Sequence, residues 1–521
     1  MRLLAVAASL LALAPAAAGA AVDVDTYHND TFRSGWNQNE TALTPATVGS
    51  RSFKKLFTAH LNGLIYGQPL IAAGEAIPGE GTHDLVIAAT NSDYIYAFNA
   101  DGAGLIWKHS FADKAEGVNP VPLSFVAGCN ATGSEDGVLS TPVIDRTADR
   151  IYVVAATLEG VKPHQHIHHR LHALQLSTGQ DAMTPIDIAG SFAGPQGTIT
   201  FDGDVQFQRP ALLEANGNVY VAFGSQCDYY ANQYHGWVFA YATSNLAQTA
   251  VINVTPSTDS NGNYYGGIWM AGDGPGADAS GNVYFAVGNG TFDGVNNFGE
   301  SLLRLPPNLS LTGSSFFAPY TAYQDNAYDA DFGSGGIALL PDQPGSVPHQ
   351  IVGQGKDGIL TLLDRDNLGG YVPGGPDNAL AEIGLGGVWA APATWEDGNG
   401  VTHVLTTGGP LYDVVVGTNS LTVADYTSVY FPSPNGNGST PSVSSNGSAD
   451  AIAWIVQRPG DISSQQMYLY AFPSTNLGKQ LIGIPLGYWS TAALNPYPVV
   501  TIANGKVYVP VTDAIEVFGL K

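Results

Sequence analysis

A short grammar of strands and turns recurs along the whole chain and constrains its fold more than any other feature. One unit reads "DLVIAATNSDYIYAFNADGAGLIW", an apolar strand, a turn, an alternating strand, then a glycine turn into a third strand. The pattern returns in "DRIYVVAATLEG…HRLHALQLSTG", "GNVYVAFGSQCD…GWVFAYATSNL", "GNVYFAVGNGTFD…ESLLRLPPNL", "HQIVGQGKDGILTLLDRDNLG", "MYLYAFPSTNLG" and the closing "GKVYVPVTDAIEVFGL". Period-2 alternation punctuated by glycine excludes a helical repeat, which needs apolar residues three and four apart. Short proline-bearing segments, "YGQPLIA", "LSTPVID", "FQRPALL" and "GSTPSVS", precede several units. Both kinds of marker together give about eight units, spaced by about 60 residues, a spacing suited to propeller blades.

The expectation is an all-β chain folded as a single eight-bladed β-propeller over residues 21–521, with seven blades as the alternative. The proline-bearing segments are expected to be innermost strands, with their polar residues on the central channel. The N-terminal "VDVDTYHND" is expected to complete the last blade, because ring closure removes two exposed sheet edges. The 63 glycines, 32 prolines and 12% charged residues suit many strands joined by tight turns.

Residues 1–20, "MRLLAVAASLLALAPAAAGA", have one basic residue, a short apolar run and a small-residue end, the pattern of a signal peptide. A secreted or periplasmic protein without membrane insertion is therefore expected. The net charge of −25 disfavours nucleic acid as a partner. Two cysteines, Cys129 and Cys227, are expected to pair in an oxidising compartment. No Cys-x-x-Cys-His occurs, so the chain attaches no haem of its own.

The stretch "HQHIHHRLHALQLSTG" holds five of the twelve histidines within nine residues, beginning at His164. On a strand, His164, His166, His168, Arg170 and His172 share one face. Three imidazoles on one face can ligate a metal, but a compact site needs a second element, and the sequence offers none. A solvated edge or loop is the reading this favours.

The units resemble the pyrroloquinoline-quinone (PQQ) repeat, Ala-x-Asp-x-x-Thr-Gly followed by Trp. "AFNADGAGLIW" and "ALQLSTGQDAM" carry the likeness, and it covers nearly the whole chain after residue 20. Several stretches are also similar to cofactor-site segments of the quinoprotein alcohol dehydrogenases. "GGIWMAGDGPGADASGNVYFAVGNG" implies Trp269 under the quinone and Asn289 as a metal ligand. "VVAATLEGV" implies Glu159 as a second ligand. "YQDNAYDADFGSGG" implies Asp329 as general base, with Asp331 where lanthanide-using members add a carboxylate. "GQGKDGILTLLDRDN" implies Lys356 at the reactive carbonyl. "LGGVWAAP" implies Trp389 near the cofactor, with Val388 in place of an asparagine. Arg209, in "FQRPALL", enters an inner strand and can grip an anionic ligand.

The resemblance implies a dehydrogenase of an alcohol, polyol or sugar that uses PQQ and Ca2+ or a lanthanide and hands electrons to a separate acceptor. This chain lacks the adjacent cysteines of that family and its recognisable arginine segment. Two further readings stand beside it. One is a non-catalytic propeller that binds glycan or protein. The other is a carbohydrate-cleaving enzyme whose paired carboxylates are Asp273 with Asp329 or Asp331.

Overall fold

Alternating apolar strands can bury one face only by stacking on a like neighbour, and the eight larger sheets among the described residues do so around a ring. A computed structural model describes residues 21–126, 132–433, 436–458, 466–489 and 497–521. The signal-peptide expectation for residues 1–20, and Cys129 with its expected pairing, lie outside the described residues.

Each blade is a four-stranded antiparallel meander running outward from the axis. Blade 1 comprises Leu70–Ile77, Gly81–Thr90, Tyr94–Asn99 and Leu105–Ser110. The innermost strands of blades 2 to 7 are Val143–Asp145, Leu213–Ala215, Gly276–Ala277, Ile337–Leu339, Ala393–Glu396 and Pro441–Asn446. Blade 8 joins Thr501–Ala503, Lys506–Val511 and Ala514–Leu520 to an outermost strand from the other end of the chain, Phe53–His60. The core lies between blades, for example where Leu70, Ile87 and Ile95 of blade 1 meet Ile144, Ile151 and Val153 of blade 2. The proline-bearing segments lead into or form innermost strands, as their composition implies.

Ring closure is the one correction to the fold expectation. Phe53–His60 pairs with Ala514–Leu520 and completes the last blade. The segment containing "VDVDTYHND" instead runs along the inner strands and touches every blade in turn. Val24 bridges Ile71 of blade 1, and Asp25 accepts from the Ile144 amide at blade 2. Arg33 donates to the Leu212 carbonyl just before the inner strand of blade 3. The carbonyls of Thr31, Phe32, Ser34 and Gly35 accept from Ala277, Leu339, Thr394 and Val443, at blades 4 to 7. Asn37 reaches the Ile502 carbonyl of blade 8. Inner strands present unpaired backbone groups to the axis, and this segment satisfies them.

Arg33 is wholly buried in this plug and donates to the Pro275 carbonyl at 2.7 Å. It lies 3.9 Å from Asp273, which is also wholly buried. Asp273 accepts from the Gly274 and Ile337 amides at 2.8 and 2.9 Å. Asp273 therefore ties the plug to blades 4 and 5.

Candidate active site

Strand direction places the functional side chains. In a meander that runs outward, the loop entering each inner strand and the loop leaving each second strand lie at the same end of the ring. Among the described residues these loops line a cavity of about 230 Å3. Trp269, Asp329, Asp331, Ser334, Trp389 and Tyr497 come from loops that enter inner strands of blades 4, 5, 6 and 8. Cys227, Asp228, Asn289 and Lys356 leave the second strands of blades 3, 4 and 5, Asn218–Ser225, Val283–Ala286 and Gln350–Gln354.

The indole of Trp269 lies close against the backbone of Gly267 and Gly224. A Cβ at Gly267 would sit 2.8 Å from its Nε1, and one at Gly224 would sit 3.2 Å from its Cδ2. Phe207 supports the ring from one side, with centroids 5.7 Å apart. The next three residues, Met270, Ala271 and Gly272, all adopt positive φ before the chain reaches Asp273. That tight turn carries the chain from the pocket floor down to the plug. Two non-glycine residues in this region carry strain, which the buried anchor at Asp273 holds in place.

Asp329 follows the helix Ala322–Tyr328 in a left-handed conformation. Its Oδ1 accepts from Asn289 Nδ2 and from Lys356 Nζ, both at 2.7 Å. No hydrogen bond engages its Oδ2 among the described residues. Lys356 Nζ also lies 2.6 Å from Asp331 Oδ1 and 5.2 Å from the centre of the Trp389 ring. The Lys356 amide donates to the Asp331 carbonyl and to Ser334 Oγ, so its backbone is fixed as well.

Burial pushes the Asp331 carboxyl up to about 6, against the pull of Lys356 and with repulsion from Asp329 and Asp228. Burial opposes the Lys356 ammonium, but the Asp331 and Asp329 carboxylates outweigh it and hold its pKa above the usual range. Behind Asp331, buried Glu300 accepts from the Phe332 amide at 2.9 Å. Burial, then the Asp331 charge, raises its pKa well above the usual carboxyl range.

Six sequence-derived residues therefore meet in one pocket: Trp269, Asn289, Asp329, Asp331, Lys356 and Trp389. Two do not line it. Arg209 is buried alongside, with its guanidinium 4.6 Å from the Tyr497 ring and 4.9 Å from Tyr66. Glu159 is engaged elsewhere, in a bidentate ion pair with Arg170 and a 2.8 Å bond from Thr157 Oγ1. The correction for Glu159 has a physical cause. Its strand, Arg150–Val161, runs twelve residues and stays paired with His164–Gln175 to its tip. The carboxylate thus meets a cross-strand partner before it can face the axis.

Sequence reasoning missed Asp228, which occupies the corresponding place in blade 3 and lines the pocket. Its Oδ1 accepts from Ser225 Oγ at 2.8 Å and Tyr234 Oη at 2.5 Å. "GSQCDYY" follows the second strand of blade 3 just as "VGNGT" and "GQGKDG" follow those of blades 4 and 5. That alignment of blade against blade was the available signal. Tyr497 and Arg458, whose guanidinium lies 4.9 Å from the Tyr497 ring, were missed too. Asp273 does not line the pocket, so the carboxylate pairs that include it do not face a substrate there.

Three solved structures share this architecture. A quinohemoprotein alcohol dehydrogenase from Comamonas testosteroni superposes with a TM-score of 0.62 at 14% identity, covering 95% of this chain and 80% of that one. One from Pseudomonas putida HK5 gives 0.60 at 13% identity, covering 96% and 80%. A europium-containing methanol dehydrogenase gives 0.60 at 12% identity, covering 96% and 98%. The fold is an eight-bladed β-propeller resembling that of the quinoprotein alcohol dehydrogenases. No protein-family profile matches the sequence, and no curated protein does. At these identities the likeness carries the propeller fold alone. Among the described residues, no helix is long and apolar enough to cross a membrane.

Proposed function

We propose that this protein is an exported quinoprotein dehydrogenase that oxidises an alcohol, polyol or sugar. The observation that carries the reading is the meeting of Trp269, Asn289, Asp329, Asp331, Lys356 and Trp389 in one cavity, although they span 121 residues of chain and come from five loops. A flat, anionic cofactor needs an aromatic face and cations, and the pocket region offers Trp269, Trp389 and Lys356, with Arg209 and Arg458 packed against Tyr497. A hard cation needs oxygen donors. Asn289 Oδ1 is buried without a hydrogen-bond partner, an acceptor that such an ion satisfies. Asp331 and Asp228 supply carboxylates beside it, so Ca2+ or a lanthanide suits the donor set, with Asp228 in the role first assigned to Glu159.

PQQ bound here would supply a quinone able to take up the hydrogen of the substrate C–H bond together with its two electrons. The remaining work falls to the chain. Asp329 Oδ2 takes the proton of the substrate hydroxyl, while Asn289 and Lys356 hold Oδ1 and fix the carboxylate. Lys356 also places a positive charge beside the reacting oxygens. In this reading the electrons leave to a separate acceptor.

The test is reconstitution of the chain with PQQ plus Ca2+ or La3+, followed by dye reduction on alcohols and sugars. Quenching of tryptophan fluorescence and substrate-dependent dye reduction are expected. No quenching and no thermal shift on adding PQQ overturns the proposal and leaves a glycan- or protein-binding propeller. Release of sugars from a polysaccharide without dye would instead favour hydrolysis.

A further inference from the structure

The histidine-rich stretch is a regular strand, His164–Gln175, rather than a loop, and its first half is the solvated edge that its composition suggests, with the outer strand pairing only Arg170 and Leu171. Its histidines have separate fates. His166 pairs with Asp204 at 2.7 Å, and His168 lies 3.3 Å from Asp187. His172 is buried near the far end of the strand, where a second element approaches it. That element is the outermost strand of blade 1, Leu105–Ser110, which brings His109 within 6.1 Å, ring centre to ring centre. Asp181, in the turn beyond the strand, lies 3.0 Å from His172 Nδ1. One donor atom from each of His109, His172 and Asp181 falls within 4.8 Å of the other two.

We propose that His109, His172 and Asp181 form a binding site for a borderline divalent cation, of the class of Zn2+ or Cu2+, that fastens blade 1 to blade 2. Two imidazoles and one carboxylate are the donors such ions take, with water completing the shell. Bonds of about 2.0–2.2 Å set donors roughly 3.3 Å apart in a tetrahedron, so the present spacing closes with small side-chain rotations.

Independent contacts hold the ligands in place. Phe111 packs against both imidazoles, 4.9 Å from His109 and 4.7 Å from His172, and keeps water from that side. Trp107 Nε1 donates to the Leu176 carbonyl at 2.9 Å, which pins the turn carrying Asp181 to blade 1. The site lies among outer strands and shares no residue with the hub pocket.

The experiment titrates the metal-stripped protein with Zn2+, and in parallel with Co2+, in the presence of Ca2+ to occupy oxygen-rich sites. One Zn2+ per chain, a rise in melting temperature and a visible Co2+ spectrum are expected. His109→Ala and Asp181→Asn, both outside the tightly packed core, should each weaken binding at least about 10-fold. His166→Ala, on the same strand but paired with Asp204 and outside the cluster, should bind as the parent does. Binding that is absent in the parent, unchanged in His109→Ala and Asp181→Asn, or lost in His166→Ala would overturn the proposal.

Discussion

The second strands of blades 2 and 3 occupy the same place in the ring yet serve different ends. In blade 3, Asn218–Ser225 stops after eight residues, and Asp228 turns into the hub pocket. In blade 2, Arg150–Val161 continues for twelve, fully paired, and Glu159 closes on Arg170 across the ladder. The length of the ladder, more than the residue at its end, decides whether a polar side chain reaches the axis. Ladder pairing supplies close cross-strand neighbours, and a charged side chain beside one is neutralised there.

The largest expected effect lies in the pocket. In PQQ-loaded protein, Asp329→Asn should lower the turnover of dye reduction by about 10²–10⁴, the usual contribution of a positioned proton acceptor. Cofactor quenching of tryptophan fluorescence should survive the change. A variant that turns over within about threefold of the parent would remove Asp329 from the chemistry.

Asp228→Asn tests the comparison directly. It deletes a carboxylate that the short ladder of blade 3 delivers to the pocket, and should weaken Ca2+ or La3+ binding by about 10–100-fold, as loss of charged oxygen donors does. Calorimetric titration reads the change. Equal affinity in parent and variant would show that the cation, if held, does not use blade 3.

Much of the fold was legible because it is periodic. Repeated alternation fixes strands, and the recurrence of turns fixes blades. The closing strand was not legible, since Phe53–His60 carries the same alternation as any edge strand and nothing local marks its distant partner. The six pocket residues were legible from family likeness and chain order. Asp228 was lost, and Glu159 chosen, because sequence shows the residue that follows a strand but not where hydrogen bonding across the hairpin ends. The partnership of His109 with His172 was hidden for a similar reason: 63 residues separate them, and only blade stacking joins them.

The two regions should also respond oppositely to pH. His169, on the long hairpin of blade 2, is buried, and burial lowers its pKa to about 4. Its neutral form is favoured in the fold, so its contribution is complete above the unfolded value near 6.5 and lost as pH falls toward 4. Asp273, beneath the hub pocket, is raised to about 7 by burial, against the pull of Arg33. Its contribution is complete below about 4 and lost as pH rises through 7. Hydrogen exchange, corrected for intrinsic rates, should show faster opening of residues 164–175 near pH 4.5. The amides of Gly274 and Ile337 should open faster near pH 8. The same trend in both regions would contradict the assignment.

Glu159→Gln should have the smallest effect, and for that reason it separates the two regions most cleanly. The Glu159 and Arg170 side chains are 19% and 24% exposed, so solvent screens the pair, and Arg170 keeps a second partner in Asp187 at 3.0 Å. Burial is too shallow to leave an uncompensated charge, and the glutamine amide can still meet Thr157. Stability should fall by about 1 kcal/mol or less, read as a small shift of the unfolding midpoint. Cation affinity and dye reduction should stay at parental levels. A loss of cation binding here would mean that the hairpin bends inward and that blade 2 feeds the pocket as blade 3 does. An unchanged pocket with a slightly weaker hairpin is what a fully paired twelve-residue ladder requires.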